Sequence, residues 1–332
     1  MFSTSNDGLR QLLFKNKILS TPTTAEKTPV QLKSWIILIA LSIIWGSSFI
    51  LIKKGLEVYV PTQVACLRLG ISAITFLPFL IMRWSKVDWK KWKPLLVIGL
   101  CGSGIPSFMF SIAQTEVSSS VAGILNSLTP LFTLVLGVLI FGSKGTMMKY
   151  IAVVIGLVGA SVLILMGKKS GIDGNVWYGL LIVIASMCYG ISSNTVGTYL
   201  QDMRSMTISS VAFTAVGLPA LIYLFTATDF LQTLAHQPGA WTALGYIALL
   251  AIFGTVIATV FFFMLVQWTS ALFSSMVTYL IPIVAVMWGV LDGEIISIYH
   301  FLGMGLILSG IYLSRQRKSK KEKGANGANG EI

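Results

Sequence analysis

The sequence predicts an all-α membrane protein, with ten transmembrane helices arranged as two inverted five-helix repeats. Three observations predict this fold class: a shortage of charge, a series of long apolar segments and an internal duplication. Of the 332 residues, 55% are hydrophobic and only 11% are charged, whereas a soluble domain carries about 25% charged residues. The composition excludes a water-soluble surface over most of the chain. It also excludes intrinsic disorder, which requires low hydrophobicity and high net charge.

Ten segments are apolar over the length that a bilayer-spanning helix needs, which is about 20 residues. Their continuous apolar runs differ from the short alternating segments of a transmembrane β-barrel. The predicted spans are 35–54, 62–82, 94–114, 119–141, 148–167, 176–197, 207–226, 241–266, 270–290 and 297–314.

The basic residues indicate how these spans are oriented. The net charge is +12, and most Lys and Arg residues fall in alternate connecting segments and in the two tails. The opposite segments hold only Lys53, Lys54, Lys168 and Lys169. Because cytoplasmic loops are enriched in Lys and Arg, we expect both termini on the cytoplasmic side of the inner cell membrane. This distribution accounts for the charge without a nucleic-acid partner.

An internal repeat divides the chain. A constant offset of 152 residues superposes three pairs: Gly102 on Gly254, Pro130 on Pro282, and Gly137 on Gly289. Five spans per copy is an odd number, so the two copies must have opposite orientations, as in many secondary transporters. The predicted organisation is a cytoplasmic basic tail at 1–34, a first repeat at 35–167, an outer linker at 168–175, a second repeat at 176–314 and a basic tail at 315–332.

Four motifs give the repeats a family resemblance: IWGSSFILIK from Ile44, LRLGISAITFLPF from Leu67, TPLFTLVLGVLIFG from Thr129 and IPIVAVMWGVLDGE from Ile281. Their order, spacing and duplication resemble the drug/metabolite transporter superfamily, specifically its EamA-like family. The resemblance implies ten helices around a central cavity, and transport of a small organic solute by alternating access. In that family the first repeat usually carries a Glu after its fourth helix, where this chain has Ser143. The second repeat retains it as Glu294.

Arg68 is the strong charge that lies well inside a predicted span. A charge at that depth is expensive unless it is paired, so it is a functional candidate. Its guanidinium suits a carboxylate or a phosphate. The structural alternative is that Arg68 binds backbone carbonyls or lipid headgroups.

Further polar and aromatic side chains are candidates for lining a cavity, since a pocket for an amphipathic solute needs both kinds. The alternative for each is helix packing, where small polar residues are common. The candidates are Trp45, Ser48, Asn126, Tyr189, Ser192, Asn194, Thr255, Thr259 and Thr278. Helix-breaking residues mark candidate hinges, since Pro removes a backbone hydrogen bond; they are Gly104, Pro106, Pro130 and Pro282.

The carboxylates lie near the predicted outer loops, and none falls at mid-depth. Proton-coupled pumps usually carry a titratable group within the membrane. We therefore hypothesise movement down a gradient or by exchange, with Glu116 and Glu294 as the possible coupling residues. The sequence contains no HExxH, GxxxxGK[ST] or GxSxG motif, so an enzyme, a metal site and a cofactor are not expected.

The resulting prediction is a secondary transporter that exports a small organic metabolite, amino-acid-like or related. Export is implied by the family resemblance. The alternative is a flippase or scramblase for a lipid or lipid precursor, which would need lateral access to the cavity. The expected partners are the solute and the bilayer, and the expected state is a monomer or a homodimer.

Overall fold

The apolar segments form helices, as predicted. A computed structural model describes residues 32–142, 147–166, 175–268 and 277–315. Within these ranges, eight helices are long and apolar enough to cross a membrane, and two shorter apolar helices follow. Many large apolar side chains lie exposed on helix surfaces, including Ile81 (67%), Leu139 (71%) and Trp241 (72%). An apolar surface of this extent requires lipid around it, so the predicted all-α membrane fold is confirmed.

The ten apolar segments, numbered here as the first to tenth spans, agree with the predicted ranges to within a few residues. The ninth is the exception, because its predicted start at 270 lies outside the described residues. The spans are Leu32–Leu56, Pro61–Lys86, Trp89–Ala113, Ser119–Leu139, Met147–Leu165, Trp177–Tyr199, Ser205–Ala227, Ala240–Phe262, Val277–Leu291 and Ile298–Ser314.

Some predicted regions lie mostly outside the described residues: the N-terminal tail, the linker at 168–175 and the C-terminal tail. The boundaries of the two repeats stay a prediction. Short helical turns connect some spans. The second span ends with an α-helix to Arg83 and a 3-10 turn, and a seven-residue helix, Phe230–His236, follows the seventh span.

Two spans contain a π-helical segment at mid-length, where α-helix would be expected. In the third span it is Leu100–Gly104, between the α-helices Trp92–Gly99 and Ile105–Ala113. In the eighth it is Leu250–Ile257, between Ala240–Leu249 and Ala258–Trp268. Gly102 and Gly254, which the sequence offset superposes, both lie in these segments. π-Helical turns leave α-helical hydrogen bonding locally and are frequent at functional sites.

The two matched prolines are placed differently. The fourth span divides into Ser119–Asn126 and Thr129–Leu139, and Pro130 opens the second piece. Pro282 instead lies inside Val277–Leu291, which is a single helix. Pro at the start of a helix replaces a donor that would be unpaired in any case. The fourth span therefore has a true break, and the ninth does not.

Glycine allows two pairs of spans to pack closely. The second span packs on the seventh, and the fifth packs on the tenth. A Cβ at Gly217 would lie 2.5 Å from the Leu69 carbonyl oxygen, and one at Gly310 would lie 2.5 Å from that of Ala152. Small residues allow this approach of backbones in membranes, and a larger side chain would separate each pair.

At the centre of the molecule, the first span of each predicted half packs against spans of the other half. The first span packs against the eighth and ninth, and the sixth packs against the third and fourth. The most deeply buried side chains include Leu38 and Leu41 of the first span and Ile124 and Leu125 of the fourth. Near this centre, Arg68 of the second span meets Tyr189 of the sixth and Thr255 of the eighth.

Candidate functional site

Arg68 lies at the contact between the second and eighth spans. Its Nε donates a hydrogen bond of 3.3 Å to Thr255 Oγ1, and the hydroxyl of Tyr189 lies beside its guanidinium. At 1.5 Å per residue, Arg68 is roughly 10 Å from the start of its span. Among the described residues, none of the ion pairs includes Arg68. An anionic group of a ligand would therefore complete its electrostatic pairing.

The π-helical segment of the eighth span places the partner of Arg68. Thr255 is only 4% exposed, and its hydroxyl also lies 3.5 Å from the carbonyl of Leu250, five residues earlier. The next turn of the second span touches the same segment, because the hydroxyl of Ser72 lies 3.5 Å from the Ala251 carbonyl. The same hydroxyl donates to the Arg68 carbonyl at 2.8 Å, which ties the backbone at Arg68 to the eighth span.

Trp45 and Ser48 reach the same segment from the first span. The indole Nε1 of Trp45 donates to the Gly254 carbonyl at 2.9 Å, and its ring packs on Phe262 with centroids 5.2 Å apart. A Cβ at Gly254 would lie 2.9 Å from Ser48 Oγ. The hydroxyl of Ser48 is bonded to its own helix at Ile44. Glycine at 254 therefore allows the first span to approach the eighth.

Tyr189 and Ser192 bring the sixth span to this region. The ring of Tyr189 stacks on Phe110 with centroids 6.1 Å apart. Ser192 is 9% exposed, and a Cβ at Gly102 would lie 2.6 Å from its hydroxyl. The π-helical segment of the third span thus contacts the sixth span, as that of the eighth contacts the first.

Asn194 serves helix packing in this structure. Its amide nitrogen donates to the carbonyls of Thr133 at 2.8 Å and of Gly190 at 2.9 Å. The bond to Thr133 joins the sixth span to the fourth, and the bond to Gly190 stays within the sixth span. A Cβ at Gly190 would lie 2.9 Å from the Thr133 nitrogen, so this contact is tight.

Asn126 ends the first piece of the broken fourth span. Its Oδ1 is buried and has no hydrogen-bond partner among the described residues, which is uncommon and calls for an explanation. The hydroxyl of the next residue, Ser127, lies 3.5 Å from the carbonyl oxygen of Thr278 in the ninth span. Thr259 is half-buried, in the helix that follows the π-helical segment of the eighth span. Among the described hydrogen bonds of Arg68, none involves Asn126 or Thr259.

The predicted hinges lie at discontinuities of the spans in three of four cases. Gly104 ends the π-helical segment of the third span, and Pro106 opens the α-helix that follows it. Pro130 opens the second piece of the fourth span. Pro282 lies inside a continuous helix. Their role as hinges stays a prediction.

The two carboxylates proposed for coupling have different surroundings. Glu116 is half-buried in the turn between the third and fourth spans. Glu294 follows the ninth span, and its side chain is 7% exposed. Every acidic residue in the described ranges lies outside the spans.

Glu294 is the centre of a network on the predicted outer side. Its Oε1 accepts from the Ser119 nitrogen at 2.8 Å and from Lys53 at 3.0 Å. Its Oε2 accepts from the Ser120 nitrogen at 3.1 Å and from the Ser120 hydroxyl at 2.5 Å. Burial works to raise the pKa of the Glu294 carboxyl, but the hydrogen bonds from Ser120, Ser119 and Lys53 outweigh burial and lower it.

Asp292 adds a second carboxylate to this network. It pairs with Lys53 at 2.7 Å and with Lys54 at 2.8 Å, and Lys54 also pairs with Glu57 at 2.7 Å. Burial opposes ionisation of Asp292, but the hydrogen bonds from Lys53 and Lys54 prevail and lower its pKa. The network therefore remains charged at neutral pH.

The sequence alone does not connect these residues. It placed Lys53 and Lys54 on the same predicted side as Asp292 and Glu294, and that opposition of charges was the available signal. The helix N-terminus at Ser119 gave no such signal. Phe110 and Phe262, which pack on Tyr189 and Trp45, were also missed because apolar spans contain many equivalent phenylalanines.

A groove of about 360 Å³ lies between the first and ninth spans, away from Arg68. Its lining is Trp35, Leu38, Ile39, Ser42, Ile43, Leu280, Ile283 and Val284. The hydroxyl of Ser42 donates to the Leu38 carbonyl. The groove therefore offers an apolar surface and no charged partner for a headgroup.

The model of the EamA-like transporter family matches residues 33–165 and 176–316. The chain belongs to the EamA-like transporter family. The resemblance inferred from the motifs is thereby confirmed, and so is the class of a multi-pass membrane protein.

Relatives in this family are similar over most of the chain. The uncharacterised inner membrane transporter YedA of Escherichia coli K12 is 31% identical over 281 residues, covering 83% of this chain and 88% of YedA. An uncharacterised transporter of Archaeoglobus fulgidus is 26% identical, covering 85% of this chain and 98% of that protein. A protein crystal structure with 16% identity covers 87% of this chain and 99% of its own, with a TM-score of 0.57. At that identity the likeness concerns the fold alone.

Proposed function

We propose that this EamA-like protein is a secondary transporter of a small organic metabolite, amino-acid-like or related, that carries one anionic group. The site lies where the first, second, sixth and eighth spans meet. The observation that carries the proposal is Arg68, held by Thr255 beside Tyr189 with no carboxylate paired to it among the described residues. Arginine binds carboxylates and phosphates in a bidentate manner.

Transport occurs by alternating access between the halves, in the cytoplasmic membrane, with export as the direction that the family resemblance implies. The first and sixth spans each pack against the opposite half, so the site lies where the halves meet. This position supports the mechanism, because transporters built from inverted repeats bind their substrate at the interface of the repeats. Chemistry on the solute is not part of the proposal, because the family and its relatives are transporters by name.

The lipid-handling alternative is less well supported. A headgroup in the groove between the first and ninth spans would meet an apolar lining. Polar headgroups placed in such surroundings lose their hydration without gaining partners. The test below distinguishes the two readings.

The test compares metabolites in the culture medium of cells that express the parent chain or Arg68→Gln at equal membrane levels. The control is Arg204→Gln, since Arg204 is exposed in a connecting loop. We expect one class of anionic or zwitterionic solute to accumulate with the parent and the control, and to fall at least about tenfold with Arg68→Gln. Identical media in all three cultures would contradict export, and scrambling of a labelled lipid by the purified parent would favour the alternative.

A further inference from the structure

We propose that Glu294 is the latch of an outer gate, which holds the transporter closed at the end that the positive-inside rule places outside. The proposal rests on the proposed function, since a gate has meaning only in a transporter. It adds the residue that closes the pathway and the side on which the resting protein is closed.

The latch closes through the N-terminus of the fourth span. The helix Ser119–Asn126 begins with unpaired backbone N–H groups, and two of them, at Ser119 and Ser120, donate to the Glu294 carboxylate. The hydroxyls of both serines donate to it as well, at 2.7 Å and 2.5 Å. A carboxylate at this position is also favoured by the helix dipole. One side chain from the loop after the ninth span thus binds the fourth span through four donors.

Lys53 joins the first span to the same point. Its ammonium lies 3.0 Å from Glu294 and 2.7 Å from Asp292. Lys53 and the two serines belong to the predicted first repeat, and both carboxylates belong to the second. The cluster therefore ties the two halves together at one end of the molecule.

The helices beneath the latch are in close contact. A Cβ at Gly289 would overlap the Ser120 hydroxyl, and one at Gly123 would overlap Ala285. A Cβ at Gly46 would lie 2.5 Å from the Cβ of Val284. The ninth span thus packs directly on the first and fourth, and an exit at this end requires that they separate and that the bonds of Glu294 break.

At the opposite end the sequence has no carboxylate at the position equivalent to Glu294. An offset of 151 superposes Ser143 on Glu294. In the first helix of each half an offset of 144 superposes the aromatic residues Trp45 and Tyr189, and the same offset superposes Lys53 on Gly197. Ser143 lies outside the described residues, but a hydroxyl carries no charge. Apart from its chain neighbours and the backbone of its own helix, no described atom lies within 4 Å of the Cβ position at Gly197. The resting protein is therefore biased towards closure outside, with loading of the site from the cytoplasm.

An exposed ion pair that joins the two halves at the opposite end provides a matched control. Lys91 and Asp202 are 2.6 Å apart on the predicted cytoplasmic side, and the Asp202 side chain is 65% exposed. Exposed pairs contribute little. Breaking this pair leaves the outer gate intact.

The test measures access to the site from outside. The three cysteines, Cys66, Cys101 and Cys188, are replaced by Ala, and Thr255→Cys supplies a reporter beside Arg68. Cells are treated with an impermeant thiosulfonate that carries a sulfonate group. We expect Glu294→Gln to raise the external labelling rate about tenfold by shifting the closed–open equilibrium, and Lys91→Gln to leave it unchanged. Equal rates in parent and Glu294→Gln would overturn the proposal.

Two further variants test the latch independently of Glu294→Gln. Ser120→Ala removes one hydroxyl donor and leaves every charge in place, so it keeps the test valid if Glu294→Gln does not fold; we expect about a two- to threefold faster rate. The exchange Lys53→Glu with Glu294→Lys restores an ion pair but places an ammonium at the helix N-terminus. We expect labelling to stay fast in it, and recovery of the parent rate would show an ordinary ion pair and overturn the latch.

The labelling needs no substrate, so its result is independent of the metabolite comparison. If the parent moves no solute while Glu294→Gln labels faster than the parent, the proposed function is contradicted, and Glu294 still holds the predicted outer end closed. A parent that exports solute with equal labelling rates would contradict the gate alone.

Discussion

The indole nitrogen of Trp45 donates a 2.9 Å hydrogen bond to the carbonyl oxygen of Gly254, within the π-helical segment of the eighth span. The bond joins the first span of one half to the third span of the other. A buried carbonyl freed by irregular helical bonding needs a partner in a membrane, and Trp45 supplies it. Thr255, the next residue, binds Arg68. Within the π-helical segment, Gly254 is therefore bound by Trp45, and the neighbouring Thr255 accepts the hydrogen bond from Arg68.

Replacing Trp45 by Phe tests this support. The ring contact with Phe262 is kept and the hydrogen bond is lost, so we expect the free energy of unfolding to fall by about 1–3 kcal/mol, the cost of a buried acceptor left unpaired. The control is Trp241→Phe, because Trp241 is 72% exposed. Thermal unfolding of the purified variants measures both. Equal melting temperatures for Trp45→Phe and the parent would contradict a structural role for this bond.

Thr255→Val tests whether Thr255 orients Arg68. The substitution keeps the shape of the side chain and removes the acceptor of the Arg68 Nε bond. We expect flux per folded protein to fall several-fold, and less than in Arg68→Gln, since the charge remains. Thr226→Val is the control, because Thr226 is exposed and bonds only its own helix at Ile222 among the described residues. A flux equal to that of the parent would show that Arg68 needs no orientation by Thr255.

The carboxyl groups of the outer network predict a dependence on pH. The pKa values of Glu294 and Asp292 lie below their ordinary values of 4.5 and 3.8. A carboxyl whose pKa is lower in the folded protein adds stability above its unfolded pKa and loses it as the pH falls through the folded pKa. We therefore expect external labelling of the Thr255→Cys reporter to be slow and constant above about pH 5, and to accelerate below about pH 4.

The matched variant for this prediction is Glu294→Gln, in which the acceleration at low pH should be much smaller than in the parent. The labelling rates are corrected with a small-molecule thiol measured at each pH. An acceleration of the same size in both proteins would assign the effect to other groups.

Coupling to protons can be tested in liposomes that contain the purified chain. Every acidic residue in the described ranges lies outside the spans, so we expect no net flux when a proton gradient is imposed at zero substrate gradient. Exchange of labelled for unlabelled solute should proceed in the same liposomes. Accumulation of solute against its gradient would contradict the hypothesis. If that accumulation disappeared in Glu116→Gln or in Glu294→Gln, the replaced carboxylate would be identified as the group that carries the proton.

The sequence by itself determined the number, order and approximate limits of the spans. The physical reason is that the bilayer requires about 20 apolar residues for each crossing, and this requirement acts on each segment locally. It also singled out Arg68, because a charge within an apolar run is visible without any knowledge of its neighbours.

The tertiary structure decided which of these residues meet. Asn194 and Tyr189 lie in one helix and looked equivalent as cavity residues, yet Asn194 binds the Thr133 carbonyl while Tyr189 lies beside Arg68. Pro130 and Pro282 matched in the repeat, but only Pro130 follows a break among the described residues. Glu294 gained its four donors from Ser119 and Ser120, which lie 175 and 174 residues earlier in the chain. Contacts across such separations depend on how helices rotate and pack, and apolar periodicity does not encode the rotation of a helix that is apolar on every side.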